Sequence, residues 1–239
     1  FIFEANVKAI NNAGHYGVVL REDGTGKHYG FYLNAYPSAE GKYYFGYWSG
    51  AYPYHPIVPW TDSGGAYTDA HVWNTLKVVA NGNEFNLYIN GILVKTVTDI
   101  NEYATSGHVG FIIDQYASKG QKTYFDDVIV LRDERASFSY TDGTVETLLK
   151  YKLFSDDFED AAWTYAHWAP FVRPTGFVGD IWTGIWEVRK DDDNPGVGIY
   201  CQSSSINNAF TSYAGSSSWT DYWFKVKMKR LGRVPVPGY

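Results

Sequence analysis

The sequence has one cysteine, one methionine and few cationic side chains for its 239 residues. Because Cys201 is alone, no internal disulfide can form, and no Cys and His spacing is typical of a metal site. Cys201 lies in the strand-like run 198–202, where we expect a buried, unreactive thiol. These absences exclude a disulfide-stapled scaffold and argue against thiol catalysis.

Charge and hydropathy argue against a nucleic-acid-binding protein and against a membrane-spanning protein. Lys and Arg number 20 against 26 Asp and Glu, which gives a net charge of −6 with no basic tract. Nucleic-acid binding relies on clustered cations that release counterions from phosphates, so we do not expect it. No run approaches the roughly 18 consecutive apolar residues of a transmembrane helix, so we expect no membrane span.

Aromatic residues and short alternating runs are abundant. Hydrophobic residues make up 45% and aromatic residues 18% of the chain, which is typical of a folded protein rich in strands. Apolar and polar residues alternate in runs such as Phe3–Lys8, and Asn90-Gly91 is a strong hairpin signal. Almost nothing has helical periodicity. The pattern predicts an all-β protein, with the Pro-, Tyr- and Gly-rich residues 49–71 as a long loop.

Short motifs form two groups. The first group in the chain is Trp73–Val78 (WNTLKV), Asn90-Gly91, Gly107–Gly110 (GHVG) and Phe125–Val128 (FDDV). The second is Asp156–Glu159 (DDFE), Trp186–Val188 (WEV), Tyr200–Ser204 (YCQSS) and Trp219–Tyr222 (WTDY). Together they resemble the concanavalin A-like, laminin-G-type jelly-roll modules common beside secreted polysaccharide-degrading enzymes. In that family the second group comes first, so the resemblance implies an antiparallel jelly-roll β-sandwich with its halves in inverted order.

The inverted order divides the chain into four segments. They are 1–131, resembling the second half of the sandwich; 132–152, a connector; 153–231, resembling the first half; and 232–239, a proline-stiffened linker. Two arrangements stay open: a circular permutant that folds alone, or a repeat completed by a neighbouring copy. Phe3–Lys8 and Phe224–Lys229 alternate with the same phase, which makes strand exchange with a neighbour physically reasonable. A chain that begins at Phe1 is expected to be a processed or excised segment.

Acidic residues occur in the closing and opening motifs of the implied sandwich. In related modules these two strands lie together and carry a structural calcium ion. Ca²⁺ takes six to eight oxygen ligands, and clustered carboxylates without a cation would repel one another. Solvated acids at strand ends are the alternative. The candidate ligands are Asp126, Asp127, Asp156, Asp157 and Glu159.

Aromatic residues are dense around the predicted long loop. Tyr and Trp present flat faces on which sugar rings stack, and such a pocket is the usual site in this kind of fold. Loop packing or a subunit interface would use the same residue types. The candidate sugar-binding residues are Tyr44, Trp48, Tyr52, Tyr54 and Trp60.

The sequence contains no strong signature of a catalytic site. Jelly-roll glucanases carry an E-x-D-x-x-E strand, which this sequence lacks. Lyase-type sets such as His15, Tyr16 and Arg21, or His28 and Tyr29, are expected by chance among 6 His and 21 Tyr. The sequence therefore predicts a non-catalytic, extracellular module that binds a polysaccharide or glycan and holds a structural Ca²⁺. The alternative is a structural repeat or filament subunit of a cell-surface protein, assembled by strand exchange with neighbouring copies.

Overall fold

The structure is a computed structural model. It describes residues 4–6, 14–35, 41–49, 55–66, 73–101, 103–114, 122–131, 152–170, 186–190, 198–202, 209–219 and 223–231. The prediction of an all-β sandwich is confirmed, because two largely antiparallel sheets enclose a shared apolar core. Jelly-roll connectivity and the inverted order of its halves stay predictions. Among the described residues, no helix has the length and apolar character that a membrane crossing requires.

The larger sheet has nine strands. In spatial order they are β13 (Trp186–Lys190), β14 (Gly198–Gln202), β10 (Lys122–Leu131), β16 (Trp223–Leu231), β1 (Glu4–Asn6), β6 (Asn74–Asn81), β7 (Glu84–Ile89) and β8 (Ile92–Thr98), with β11 (Lys152–Asp156) paired to β10. Strands β6 and β7 alternate buried and half-buried residues, so one face enters the core. Asn90 and Gly91 both have positive φ values (50° and 80°), which confirms the predicted hairpin turn.

The smaller sheet has seven strands. In spatial order they are β12 (Ala169–Pro170), β15 (Ala209–Ala214), β9 (His108–Asp114), β2 (His15–Glu22), β3 (His28–Asn34), β4 (Lys42–Trp48) and β5 (His55–Asp62). Its inward face contributes residues such as Val18, Phe31 and Phe45, which are fully buried. We call the opposite side, which faces away from the larger sheet, the outer face.

Both halves of the chain contribute to both sheets. Strand β10 pairs with β11, β14 and β16, and β9 pairs with β15. In the core, the Phe111 ring lies 4.0 Å from the Phe125 ring and 4.6 Å from the Trp168 ring, measured between centroids. Residues before 131 and after 152 therefore share one core. The predicted connector, apart from Lys152, and the predicted linker lie outside the described residues.

Two local elements differ from the sequence prediction. Within the predicted loop 49–71, His55–Asp62 forms strand β5, whose prolines Pro56 and Pro59 are tolerated because β5 is an edge strand. A seven-residue helix, α1 (Ala161–His167), was not predicted. Its N-cap is Asp160, whose carboxylate accepts hydrogen bonds from the amides of residues 162 (3.0 Å) and 163 (3.1 Å).

Candidate functional site

The outer face of the smaller sheet carries an aromatic and aliphatic cluster. Tyr29, Phe31 and Leu33 of β3 point into the core, so alternation places their neighbours on the outer face. We call this cluster the outer patch. It consists of Val19, Tyr32, Tyr44, Ile112 and, half-buried at its edge, Trp60.

Two glycines allow the tyrosines of the outer patch to lie flat on the sheet. Gly30 and Gly46 are opposite each other on β3 and β4. A Cβ atom at position 30 would overlap the Tyr32 ring, and one at position 46 would lie 2.5 Å from the Tyr44 hydroxyl. Both rings therefore cover glycine, and their hydroxyl ends point along the strands towards the paired residues 28 and 48.

The patch is continued by half-buried aromatic rings. The Trp60 ring lies 5.4 Å from the Tyr44 ring and 4.4 Å from the His15 ring, measured between centroids. Trp48, also half-buried, is on the same side of β4 as Tyr44, because Tyr43, Phe45 and Tyr47 point into the core. The half-exposed surface is thus carried by Trp48, Trp60 and His15.

The predicted sugar-binding residues are only partly brought together. Tyr44, Trp48 and Trp60 share the outer face, but Tyr44 is 9% exposed and supports Trp60 from below rather than forming an open surface. Tyr52 and Tyr54 lie outside the described residues. The half-exposed faces available for stacking are therefore those of the two tryptophans.

Three ionisable side chains meet at the end of the outer face towards which the tyrosine hydroxyls point. We call Glu22, His28 and His108 the polar corner. The buried Glu22 carboxylate accepts hydrogen bonds from the amides of Gly24 and Gly26, both at 2.9 Å. These amides belong to the turn between β2 and β3, so the turn fixes the carboxylate next to both histidines.

His28 is a buried, neutral imidazole. Its Nδ1 lies 2.8 Å from the carbonyl oxygen of Gly26, which can only accept, so Nδ1 carries the proton and Nε2 has the lone pair. Burial lowers the pKa of His28 to about 4. No donor among the described residues reaches Nε2. His28 therefore holds an unprotonated nitrogen at neutral pH, buried beneath the outer face.

His108 has the opposite electrostatic setting. Its Nδ1 lies 3.5 Å from the Glu22 carboxylate and 3.0 Å from the Glu22 carbonyl oxygen. The Glu22 carboxylate raises the pKa of His108, although partial burial opposes the shift. The polar corner thus combines a neutral imidazole, a carboxylate and a more basic imidazole, and of the three only His108 is partly exposed.

No sequence pattern singled out the residues of the polar corner. In the sequence, His28 stood out only as part of the His28–Tyr29 pair, which is expected by chance. Glu22 and His108 are far apart in the chain. They meet because Glu22 pairs with His108 after the register shift between β2 and β9. The one local signal is Gly24 and Gly26, since a glycine-rich turn after Glu22 can direct its amides at that carboxylate.

The predicted metal residues lie on neighbouring strands at another corner of the sandwich. Strands β10 and β11 are antiparallel, with Val128 opposite Asp156, so the FDDV and DDFE motifs meet. Asp126 and Asp156 are buried, whereas Asp127 and Asp157 are exposed. A cavity of about 630 Å³ is lined there by Asp127, Asp156 and Asp157, together with Asp160 and Trp163.

Several of these carboxylates already accept hydrogen bonds within the chain. Asp156 accepts from the Phe158 amide (2.8 Å), the Thr164 hydroxyl (3.2 Å) and the Trp168 indole (2.9 Å). Burial raises the pKa of Asp156. Glu159 forms an ion pair with Lys190 at 2.6 Å. The described residues include no group of three or more His, Cys, Asp or Glu that could hold a metal ion, and calcium binding stays a prediction.

The neutral state of His28 predicts a pH dependence of stability. Between its unfolded pKa near 6.5 and its folded pKa of about 4, the unfolded chain binds more protons, so acid destabilises the fold. From about pH 7.5 to about pH 5, this residue should lower the free energy of unfolding by about 2 kcal/mol. His28→Asn, whose amide can still donate to Gly26, should lack this loss in urea titrations at both pH values. Equal losses in both proteins would contradict the assignment.

Comparison with known families agrees with a carbohydrate-related site. Residues 1–131, which include the outer patch and the polar corner, match the family model of the 3-keto-alpha-glucoside-1,2-lyase-like domain. This is a sugar-related β-sandwich family, and it points to a carbohydrate-related function. No curated protein matches the sequence. Because the family match covers more than half of the 239 residues, the chain belongs to the 3-keto-alpha-glucoside-1,2-lyase-like domain family.

Proposed function

We propose that this chain is an extracellular carbohydrate-binding module that takes α-glucosides on the outer face of its smaller sheet. The observation that carries the proposal is the half-exposed pair Trp48 and Trp60 on the same side of the sheet as the polar corner. Flat aromatic faces supply stacking, and the polar corner supplies donors and acceptors for sugar hydroxyls. The family match favours a glucoside as the ligand.

The spacing of the two tryptophans favours a ligand longer than one sugar ring. Trp60 packs beside Tyr44, and Trp48 is four residues further along β4. At the usual rise of a strand, the Cα atoms of residues 44 and 48 are roughly 13 Å apart. Buried Tyr32 and Tyr44 pack against each other, and Tyr44 contacts Trp60, so the Trp60 indole is supported before a ligand arrives.

Removal of either tryptophan should weaken sugar binding. Trp48→Ala and Trp60→Ala should each lower the affinity for an α-linked glucose oligosaccharide about tenfold, since a stacking residue contributes about 1.4 kcal/mol or more. Isothermal titration calorimetry measures the change, with thermal melting to confirm that each variant is folded. Trp163→Ala is the matched control, because Trp163 is 38% exposed on α1, away from the outer face. Unchanged affinity in both test variants, or an equal loss in the control, would contradict the proposal.

A second candidate function is cleavage of a 3-keto-α-glucoside, and His28 is the observation that favours it. In such a sugar the C2 proton is acidic because it lies next to the C3 ketone. A base removes this proton, and a C1=C2 double bond forms as the C1–O bond breaks. The electron pair of the C1–O bond stays on the leaving oxygen, which then takes up a proton. His28 Nε2 has the free lone pair of a base, and His108 beside Glu22 is the more basic imidazole that can return a proton.

Turnover distinguishes this candidate from binding alone. If the chain is a lyase, incubation with a 3-keto-α-glucoside should release the leaving alcohol and produce the ultraviolet absorbance of a conjugated enone. His28→Asn should then lower the rate about 100-fold or more, as expected for loss of a general base. His167→Asn, at an exposed histidine on α1, is the control. No product from the unaltered protein would remove the lyase candidate and leave the binding proposal intact.

A structural calcium ion is a separate proposal at the corner of β10, β11 and α1. Its support is the meeting of the two acidic motifs beside a cavity with Asp127 and Asp157 in its wall. An ion bound only to the folded state stabilises it by mass action. Addition of a chelator should therefore lower the melting temperature, and Asp127→Asn/Asp157→Asn should remove the effect of the chelator. An unchanged melting temperature, with no calcium in the purified protein, would contradict the proposal.

A further inference from the structure

A tyrosine from the second half of the chain lies beside the polar corner. Tyr213 belongs to β15, and its two neighbours Ser212 and Ala214 are buried. Ala214 is part of the core, and the Ser212 hydroxyl lies 3.1 Å from the hydroxyl of the core residue Tyr200. Alternation along β15 therefore places the half-buried Tyr213 on the outer face.

The Tyr213 ring packs against His108. The centroids of the two rings are 4.9 Å apart, and their planes are tilted by 41°. Tyr213 is opposite Gly110 of β9, where a Cβ atom would lie 2.1 Å from the carbonyl oxygen of Ser212. Glycine at position 110 therefore lets β15 pair closely with β9, and this pairing brings the Tyr213 ring to the partly exposed imidazole of the polar corner.

The Glu22 carboxylate acts on both rings. It raises the pKa of His108, and partial burial together with Glu22 raises the pKa of Tyr213. The Tyr213 hydroxyl thus keeps its proton at neutral pH, so it can donate to a sugar oxygen as well as accept a hydrogen bond. Tyr213 and His108 form a half-buried aromatic pair with polar atoms, which is a surface suited to a sugar ring.

Tyr213 and Trp48 lie at opposite ends of a line of residues that crosses the sheet. His28 is paired with Trp48 of β4, and Glu22 is paired with His108 of β9. The strand order β15, β9, β2, β3, β4 leaves four strand spacings, so the backbones at Tyr213 and Trp48 are roughly 20 Å apart. Each end of the line is a half-buried aromatic side chain, and its centre is polar.

We propose that the glycan site continues across the sheet from Trp48 to Tyr213, so that Tyr213 binds the far end of an α-linked glucose oligosaccharide. This inference rests on the proposed sugar binding at Trp48 and Trp60. A disaccharide is too short to reach both ends and binds at the tryptophans, whereas a hexasaccharide also contacts Tyr213. Because Tyr213 lies outside residues 1–131, this end of the site is supplied by the part of the chain that the family match does not cover.

Oligosaccharides of two lengths test the inference by titration calorimetry. Tyr213→Ala should lower the affinity for an α-linked glucose hexasaccharide about tenfold, as expected for a lost stacking residue, and should change the affinity for the disaccharide by less than about twofold. Tyr213→Phe, which keeps the ring against His108, should retain most of the hexasaccharide affinity. Tyr88→Ala is the matched control, because Tyr88 is a half-buried tyrosine of the other sheet, with the Lys77 Nζ 4.6 Å from its ring centroid.

The outcomes separate this inference from the proposed function. A loss confined to the hexasaccharide in Tyr213→Ala supports the longer site. An unchanged hexasaccharide affinity, an equal loss for both sugars, or an equal loss in Tyr213→Phe would overturn it and leave the test of Trp48 and Trp60 unaffected. No binding of either sugar would contradict the proposed function, and the longer site with it.

A measurement on the unaltered protein does not depend on the folding of any variant. The hexasaccharide should bind about tenfold more tightly than the disaccharide, because only the longer sugar reaches Tyr213. Equal affinities for the two sugars would overturn the longer site, even if both sugars bind at the tryptophans.

Discussion

The stacked rings around Phe111 are the contact on which the rest of the structure depends. Phe111 belongs to the smaller sheet and stacks on Phe125 of the larger sheet and on Trp168, which follows α1. The Tyr200 and Trp186 rings of the larger sheet lie 6.3 Å and 6.5 Å away. Because these residues come from both halves of the chain, neither half can bury its aromatic face without the other.

This core also fixes the outer face. With Val18, Phe31 and Phe45 pointing inwards, strict alternation places Val19, Tyr32 and Tyr44 outwards. The glycines at 30 and 46 then give the two tyrosine rings room to lie on the sheet. The aromatic surface therefore follows from strand alternation, whereas Glu22 reaches the polar corner only after the register shift between β2 and β9.

The polar corner shows how one turn positions three ionisable groups. The amides of Gly24 and Gly26 hold the Glu22 carboxylate, and the Gly26 carbonyl selects the tautomer of His28. Burial keeps His28 neutral, and the same carboxylate makes His108 more basic. The pKa values of two histidines on one sheet are thus shifted in opposite directions for local reasons.

The sequence was sufficient for features that depend on neighbouring residues. Short alternating runs predicted an all-β protein, and Asn90-Gly91 located the hairpin turn between β7 and β8. It failed where a tertiary setting overrides local preference. Pro56 and Pro59 argue against a strand until β5 is known to be at an edge.

No sequence pattern predicted the polar corner, for a related reason. Glu22, His28 and His108 become neighbours only through the pairing of β2 with β3 and β9, including a register shift that no local pattern encodes. The meeting of FDDV with DDFE, by contrast, followed from the family resemblance and is seen in the pairing of β10 with β11.

Carbohydrate binding to the outer face of the smaller sheet can be tested by a crystal structure of the protein with an α-linked glucose oligosaccharide. We expect sugar rings within about 4 Å of the Trp48 or Trp60 indole, with hydroxyl groups directed at the polar corner. Sugar found instead in the cavity beside Trp163, with the outer face empty, would rule out the proposed site.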